Sequence, residues 1–592
     1  MNEENRVFRE ELGYLNKWVP IAVLIGLVAG FGAAIFTYAI NGFTTLFLGY
    51  GAGFIPPFPI GEGGPTYALS PFPFILPMIT TLGGLLCGVI VYKFAPEAEG
   101  HGTDAAIDAF HNKKGQIRAR VPVIKLIASA ITIGSGGSAG REGPSAQIGA
   151  GFGSLLGRLM HLSTRDRSIA LAVGIGAGIG AIFKAPFGGA ILAAEILYIG
   201  DFEMAALPPA LIASTIGYSV YASIYGWTPI FGNAPQFVYN DPVYLLIFTV
   251  LGVLCGLGAI LYVRSFYGIR GAFQRWRVPN YLKPAVGGLA VGLIGLAFPE
   301  VLGMGYGWLQ ITINADFAVL TLGVIIALIF VKIVATSLTI GSGGSGGVFA
   351  PALFIGGMIG AALWLVCGML VSGFAVASAP FVIVGMMAFF GAAGKAPIAV
   401  ILMVAEMTAS YTLLVPAMIA TAIAYVISGK NTIYRSQLPS KADSPAHRNE
   451  YSMEVLRGIR VGDRMTSNVI SALPDTSVSS ALRLMKENQI KGIPVINESG
   501  QVKGIVTYED LIEASGMPAN TTPVSSVMTS EVVFALPGES LGIAFERMLD
   551  HKIGRLPVVE SLESKKLIGI ISREDIGKAY HESVQMLLEQ ES

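Results

Sequence analysis

The chain has 592 residues, of which 53% are hydrophobic and 13% charged, and its formal net charge is zero. A soluble globular chain carries about 25% charged residues, whereas here 37 of the 78 charges fall in residues 441–592. These figures exclude one soluble enzyme, a disordered chain and a basic nucleic-acid binder, and they indicate a polytopic membrane domain followed by an ordinary soluble one.

Residues 1–17 are charged, and the apolar run that begins at Trp18 is too long for a signal peptide, so they are read as a short N-terminal segment. A membrane-spanning helix needs roughly 20 apolar residues. Trp18–Leu48, Ile75–Phe94, Leu207–Ala222, Pro242–Val263, Pro284–Phe298 and Phe317–Thr336 meet that need. Residues 131–200 and 339–428 are apolar but interrupted by Gly and Pro every few residues. They are predicted to form short, broken helices that end inside the membrane around a protein-lined cavity, not straight spans. Cys87, Cys255 and Cys367 lie in apolar sequence and make neither a disulfide framework nor a metal site.

Cations sort the loops. Lys113, Lys114, Arg118 and Arg120 lie in one, Arg158, Arg165 and Arg167 in a second, and Arg264, Arg270, Arg275, Arg277 and Lys283 in a third. The loops 49–74, 223–240 and 299–316 contain no Lys or Arg. The positive-inside rule then puts the first group and both termini in the cytoplasm, as for a multi-pass protein of the plasma membrane.

An internal repeat organises the apolar part. KLIASAITIGSGGSAG (Lys125–Gly140) returns 207 residues later as KIVATSLTIGSGGSGG (Lys332–Gly347). Lys184-Ala185-Pro186 returns as Lys395-Ala396-Pro397, and Glu195 as Glu406, now 211 apart. Two halves, about 75–222 and 284–428, with matched Gly-interrupted segments are the signature of a transporter whose site lies where the halves meet.

Gly-flanked helix starts follow at Gly100-His101-Gly102, at Gly140-Arg141-Glu142-Gly143-Pro144 and at Gly347-Val348-Phe349-Ala350-Pro351. A helix N-terminus offers unpaired N–H groups and about half a positive charge, which suits an anion. Glu142 is an ionisable group deep in apolar sequence at such a start, and is therefore read as functional. Its carboxylate is itself an anion that can fill the site until it is protonated.

GSGGSAGREGP (Gly134–Pro144), GSGGSGGVFAP (Gly341–Pro351), the Gly100–Gly102 turn and Tyr434 in GKNTIY resemble the CLC family of chloride channels and chloride/proton exchangers, over roughly residues 15–440. The resemblance implies a membrane all-α domain, 18–440, with inverted repeats and broken intramembrane helices, one pore per subunit and a homodimer in the lipid bilayer. It implies Glu142 as the gate. It also implies an anion site formed by Gly100, His101, Gly102, Arg141, Gly143, Val348, Phe349, Ala350 and the hydroxyl of Tyr434. Two positions depart from the family pattern. His101 stands where the family usually has Ser, which bears on which anion passes. Ile196 falls where exchangers have a second glutamate that passes protons inward. A proton route through Glu195, Asp201 or Glu203 stays open, although the repeat mate Glu406 favours a structural role for Glu195.

In the soluble part Met465-Thr466-Ser467 returns as Met528-Thr529-Ser530, and Gly504–Asp510 as Gly569–Asp575. Each unit is predicted as strand–helix–strand–strand–helix. The pattern resembles a tandem CBS pair, an α/β module, at 460–514 and 523–579, after a linker at 441–459 and before a tail at 580–592. That resemblance implies an adenine nucleotide (ATP, ADP or AMP) as regulatory ligand, held by Thr507, Asp510, Ser572 and Asp575; the same Thr and Ser are also good helix caps. No nucleophile–base pair, Walker loop or metal cluster is recognisable, so no enzymatic activity, cofactor or metal is expected. Four readings stand: a passive chloride channel, favoured by Ile196; a chloride/proton exchanger; a carrier of another anion such as fluoride or nitrate; and a membrane sensor with the CBS pair as output.

Overall fold

The structure, a computed structural model, describes residues 3–232, 243–370, 376–447, 456–514 and 521–590. Residues 448–455 of the expected linker, 233–240 of one cation-free loop and Pro242 of one expected span lie outside the described residues. The chain divides into two compact units, Met1–Ala446 and His447–Ser592.

The first unit is helical. Its first half runs through α1 (Glu3–Thr44), α2 (Leu76–Phe94), α3 (Thr103–Asn112), α4 (Arg120–Gly134), α5 (Glu142–Leu159), α6 (Thr164–Ile182), α7 (Pro186–Glu195) and α8 (Leu207–Tyr225). Its second half runs through α9 (Val243–Arg275), α10 (Lys283–Ala297), α11 (Tyr306–Ile313), α12 (Leu322–Gly341), α13 (Phe349–Leu370), α14 (Ser378–Gly394), α15 (Pro397–Thr408) and α16 (Leu414–Ser428). The helices pair off in order. Proline opens α2 and α10, and likewise α7 and α15, where a missing N–H is harmless. α1 packs on α8 as α9 packs on α16, so each repeat extends one helix further toward the N-terminus than the sequence motifs reach. Repeat mates also touch directly, α2 against α10 and α7 against α15.

Among the described residues, seven helices are long and apolar enough to cross a membrane. The charged segment 1–17 is not separate, because α1 continues through it. The span expected at Phe317–Thr336 is shifted to Leu322–Gly341, since Thr321 is still extended. The larger correction concerns 339–428. Phe349–Leu370 and Tyr411–Ser428 are continuous and long enough to span. The glycines of Phe349–Leu370 were expected to break a helix, and instead let helices approach. A Cβ on Gly356 of α13 would strike the Gly385 carbonyl of α14. The repeat mates Gly149 and Gly174 bring α5 and α6 together in the same way. The short helices α7 and α15 are the broken elements expected within 131–200 and 339–428, whereas α3 and α11, of 10 and 8 residues, lie outside those segments, α11 in a stretch read as a loop.

The second unit holds two antiparallel strand pairs. β1 (Gly492–Ile496) pairs with β2 (Val502–Thr507), and β3 (Arg555–Val559) with β4 (Leu567–Ser572). Helices α17 (Val461–Arg464), α18 (Val478–Glu487), α19 (Tyr508–Glu513), α20 (Leu541–Asp550) and α21 (Arg573–Gln590) complete it, and α21 runs on through most of the expected tail. The leading strand expected in each unit is reduced to one bridge, Ala472 to Val495 and Ala535 to Val558. Within this second unit the two repeats exchange their leading segments. Thr466 pairs with Ile570 and Thr529 with Ile505, while the Met465 and Met528 thioethers lie where Gly569 and Gly504 have no side chain. Val461 accordingly belongs to the core around β3 and β4, and Val524 to the core around β1.

Candidate functional site

The repeats meet at their Gly-rich motifs. Gly140 N–H donates to the Gly347 carbonyl (2.8 Å) and Gly347 N–H to the Gly140 carbonyl (2.6 Å). These residues are 207 apart, so the pseudo-two-fold axis relating the halves passes between them. The Gly100–Gly102 turn docks on the same motif, with Gly100 N–H donating to Gly344 O (3.0 Å) and Gly346 N–H to Gly100 O (3.2 Å). Gly102 has φ of 82°, and any Cβ there would meet the Gly143 carbonyl, so glycine is required by both backbone and space. The starts of α3, α5 and α13 are thereby gathered at one buried point.

Glu142 lies at the first position of α5 and is 2% exposed. Its Oε1 accepts a hydrogen bond from Ala350 N–H (2.8 Å) in the first turn of α13, and Oε2 has no partner among the described residues. The carboxylate thus sits on the helix N-terminus of the other repeat. Arg141 does not neutralise it. Its guanidinium pairs with Glu62 and lies over the Tyr306 ring, so what Arg141 can offer an anion is its backbone, not its charge. Val348 uses its carbonyl to accept the Tyr262 hydroxyl (3.0 Å), and the Phe349 ring packs between Phe183 and Phe390, with centroids at 4.9 and 4.3 Å.

His101 and Tyr434 come together. Both are 3% exposed, their rings are 5.4 Å apart, and His101 Nδ1 has no partner among the described residues. A cavity of about 250 Å³ runs from Gly100, His101 and Gly102 past Asp104 to Arg270 and Lys113. It connects the turn to Lys113, after the end of α3, and to Arg270 near the end of α9.

The glutamates at the ends of α7 and α15 cap each other's helices. Glu195 accepts from Ile398 and Ala399 N–H (3.1 and 2.6 Å) at the start of α15, and Glu406 accepts from Phe187 and Gly188 N–H (3.1 and 2.7 Å) at the start of α7. Both oxygens of Glu195 are occupied. Ile196 is buried, and its carbonyl accepts from Gln437. Asp201 accepts from Phe202 and Lys441 N–H. Glu203, 1% exposed, accepts the Tyr198 hydroxyl (3.2 Å) and pairs with Lys441 (3.5 Å).

In the second unit, the Thr507 hydroxyl and N–H both donate to Asp510 Oδ2 (2.8 Å each), and Asp510 N–H donates back to Thr507 (3.3 Å). Ser572 and Asp575 repeat this at 2.7, 2.9 and 3.3 Å. Each motif is a closed helix cap that leaves one carboxylate oxygen over.

Sequence reasoning missed three contributors. Lys125, fully buried, donates to Ala98 and Gly100 carbonyls (3.0 and 2.6 Å) and braces the turn; its mate Lys332 does the same for Val301 and Gly303. A lysine opening the same repeat block twice was the available signal. Glu62, in the short 3-10 turn Ile60–Glu62, and Tyr262, within a long apolar helix, gave none.

Residues 83–429 match the family described as "Voltage gated chloride channel", and residues 461–516 and 524–582 match the CBS domain. A ClcB-like chloride channel protein of Ralstonia nicotianae is 32% identical over 373 residues, which cover 62% of this chain and 86% of that protein. The H(+)/Cl(-) exchange transporter ClcA of Salmonella arizonae is 28% identical over 402 residues, 65% and 82% of the two chains. The crystal structure of a slow cyanobacterial Cl−/H+ antiporter superposes with a TM-score of 0.61 at 24% identity, covering 70% of this chain and 96% of that one; at that identity the likeness speaks for the fold alone.

Proposed function

The chain belongs to the voltage gated chloride channel family, with a CBS pair at its C-terminus, and on that premise we propose that it carries chloride passively through a pore gated by Glu142. The observation that carries this is the carboxylate of Glu142 accepting Ala350 N–H at the start of α13. That position suits any small anion, because it offers backbone donors and a helix N-terminus without a fixed cation. Protonation, or displacement by chloride, frees it. The remaining anion contacts are the backbone of Gly100, Gly102, Arg141, Gly143, Val348, Phe349 and Ala350, together with the side chains of His101 and Tyr434. The unpartnered Nδ1 of His101 makes that residue the determinant of anion choice between chloride, nitrate and fluoride.

Passive flow is supported by Ile196, which cannot carry a proton, and by Glu195, whose two oxygens are committed to α15. A second reading, chloride/proton exchange, is favoured by Glu203, a buried carboxylate beside Tyr198 and Lys441, and by similarity to ClcA, named an exchange transporter. The protein acts as a homodimer in the plasma membrane with both termini in the cytoplasm. The CBS pair binds an adenine nucleotide through the free oxygens of Asp510 and Asp575 with Thr507 and Ser572, and regulates flux through differential affinity for open and closed states. Purified protein in liposomes, with chloride and protons followed together, tests the reading: chloride runs down its gradient and protons do not move uphill.

A further inference from the structure

A second cavity, of about 430 Å³, opens between the end of α3, the start of α4 and α5. It is lined by Lys113, Lys114, Arg118 and Arg158 together with Glu97 and Gln147. Two of these cations are already balanced. Lys113 pairs with Asp108 (2.6 Å) and Arg118 with Glu97. Lys114 and Arg158 have no acidic partner among the described residues. Gln147 is 1% exposed; its Nε2 donates to the Glu97 carbonyl (2.8 Å), and its Oε1 has no partner among the described residues. A buried carbonyl oxygen left unpaired costs about 1–3 kcal/mol, so Gln147 fits an occupant that brings a donor.

The turn that presents Lys114 is held open for it. Lys114 has φ of +53°, a conformation that disfavours any side chain, and Gly115 follows at +67°. Arg167 Nε donates to the Lys114 carbonyl (2.8 Å) and Ser154 to the Gly115 carbonyl (2.7 Å), so α5 and α6 fix the turn. Leu159 and Met160, which follow Arg158 in the chain, are apolar and 68 and 44% exposed. A pocket with two unbalanced cations, one buried acceptor and exposed apolar residues next to Arg158 matches a phospholipid, with its acyl chains over Leu159 and Met160 and its headgroup inside.

We propose that this cavity is a binding site for an anionic phospholipid headgroup carrying a free hydroxyl, with Lys114 and Arg158 on the phosphate and Gln147 Oε1 accepting the hydroxyl. This cavity shares Glu97, Ala105 and Lys113 with the cavity at the Gly100–Gly102 turn, but the proposal does not depend on which anion passes there. The test is native mass spectrometry of the full-length protein in detergent, titrated with phosphatidylglycerol, phosphatidic acid and phosphatidylcholine. Phosphatidylglycerol is expected to be retained above both others. Surface cations contribute about 1 kcal/mol each toward an anionic lipid, so Lys114→Gln with Arg158→Gln should weaken its retention about 30-fold. Both residues are exposed, so the double variant keeps its fold. Gln147→Leu should erase the preference for phosphatidylglycerol over phosphatidic acid while leaving that over phosphatidylcholine. Equal retention by parent and double variant overturns the site, and displacement of the lipid by equimolar glycerol 3-phosphate overturns its assignment to a lipid. None of these readouts involves chloride flux, so they stand or fall separately from the transport reading.

Discussion

Replacing Glu142 with Gln removes one charge and almost no volume from the centre of the first unit. The parent carboxylate accepts Ala350 N–H at 2.8 Å. A hydrogen bond to a charged group contributes about 1.5–3 kcal/mol, a neutral one about 0.5–1.5. The amide therefore holds the α13 N-terminus about 1–1.5 kcal/mol less tightly, which shifts competition toward a solute anion about five- to thirteen-fold. Loss of the favourable interaction with the helix dipole works in the same direction. In chloride-loaded liposomes, Glu142→Gln should release chloride faster than the parent at pH 7.5, and its rates at pH 4.5 and 7.5 should be equal. The reasoning is refuted if the variant, still eluting as the parent does, passes no chloride or keeps the parent's response to pH.

Other outcomes follow from neighbouring geometry. Glu195→Ala and Glu406→Ala each remove a cap from the other repeat's helix, so each should lower stability by about 1–2 kcal/mol; thermal unfolding in detergent should show similar losses for both, and a change in proton movement without one would mark Glu195 as a relay. His101→Ser shrinks the turn beside Tyr434 and should change the chloride/nitrate permeability ratio, whereas an unchanged ratio would remove His101 from anion selection. Asp510→Ala and Asp575→Ala in the full-length protein should abolish the calorimetric signal of ATP, ADP or AMP, and binding that survives both would move the nucleotide elsewhere.

Much of the fold was legible because the repeats are written in the chain twice. The 207-residue register predicted that Gly140 and Gly347 would be equivalent, and they hydrogen-bond to each other across the axis. The matching of Glu195 with Glu406 favoured a structural role, and the two carboxylates cap each other's helices. Glycine was the misleading signal. In water it weakens helices, but between apolar helices it allows backbone approach, as at Gly356 and Gly385. The exchange of leading segments between the CBS units was illegible, because Met465 and Met528 pack equally well on either glycine until the chain path is known. The Arg141–Glu62 pair joins residues 79 apart with no motif around Glu62, and pairings of that kind are set by tertiary structure alone.

Simultaneous measurement of chloride and proton movement by the purified full-length protein in liposomes tests the central claim most directly. With an outward chloride gradient, a potassium shunt and no proton gradient, the account predicts sustained chloride efflux with the proton signal at baseline, and loss of Glu142 charge should raise the first without creating the second. Uphill proton movement at a fixed ratio to chloride would contradict passive flow and assign a proton route despite Ile196, with Glu203 the first residue to replace.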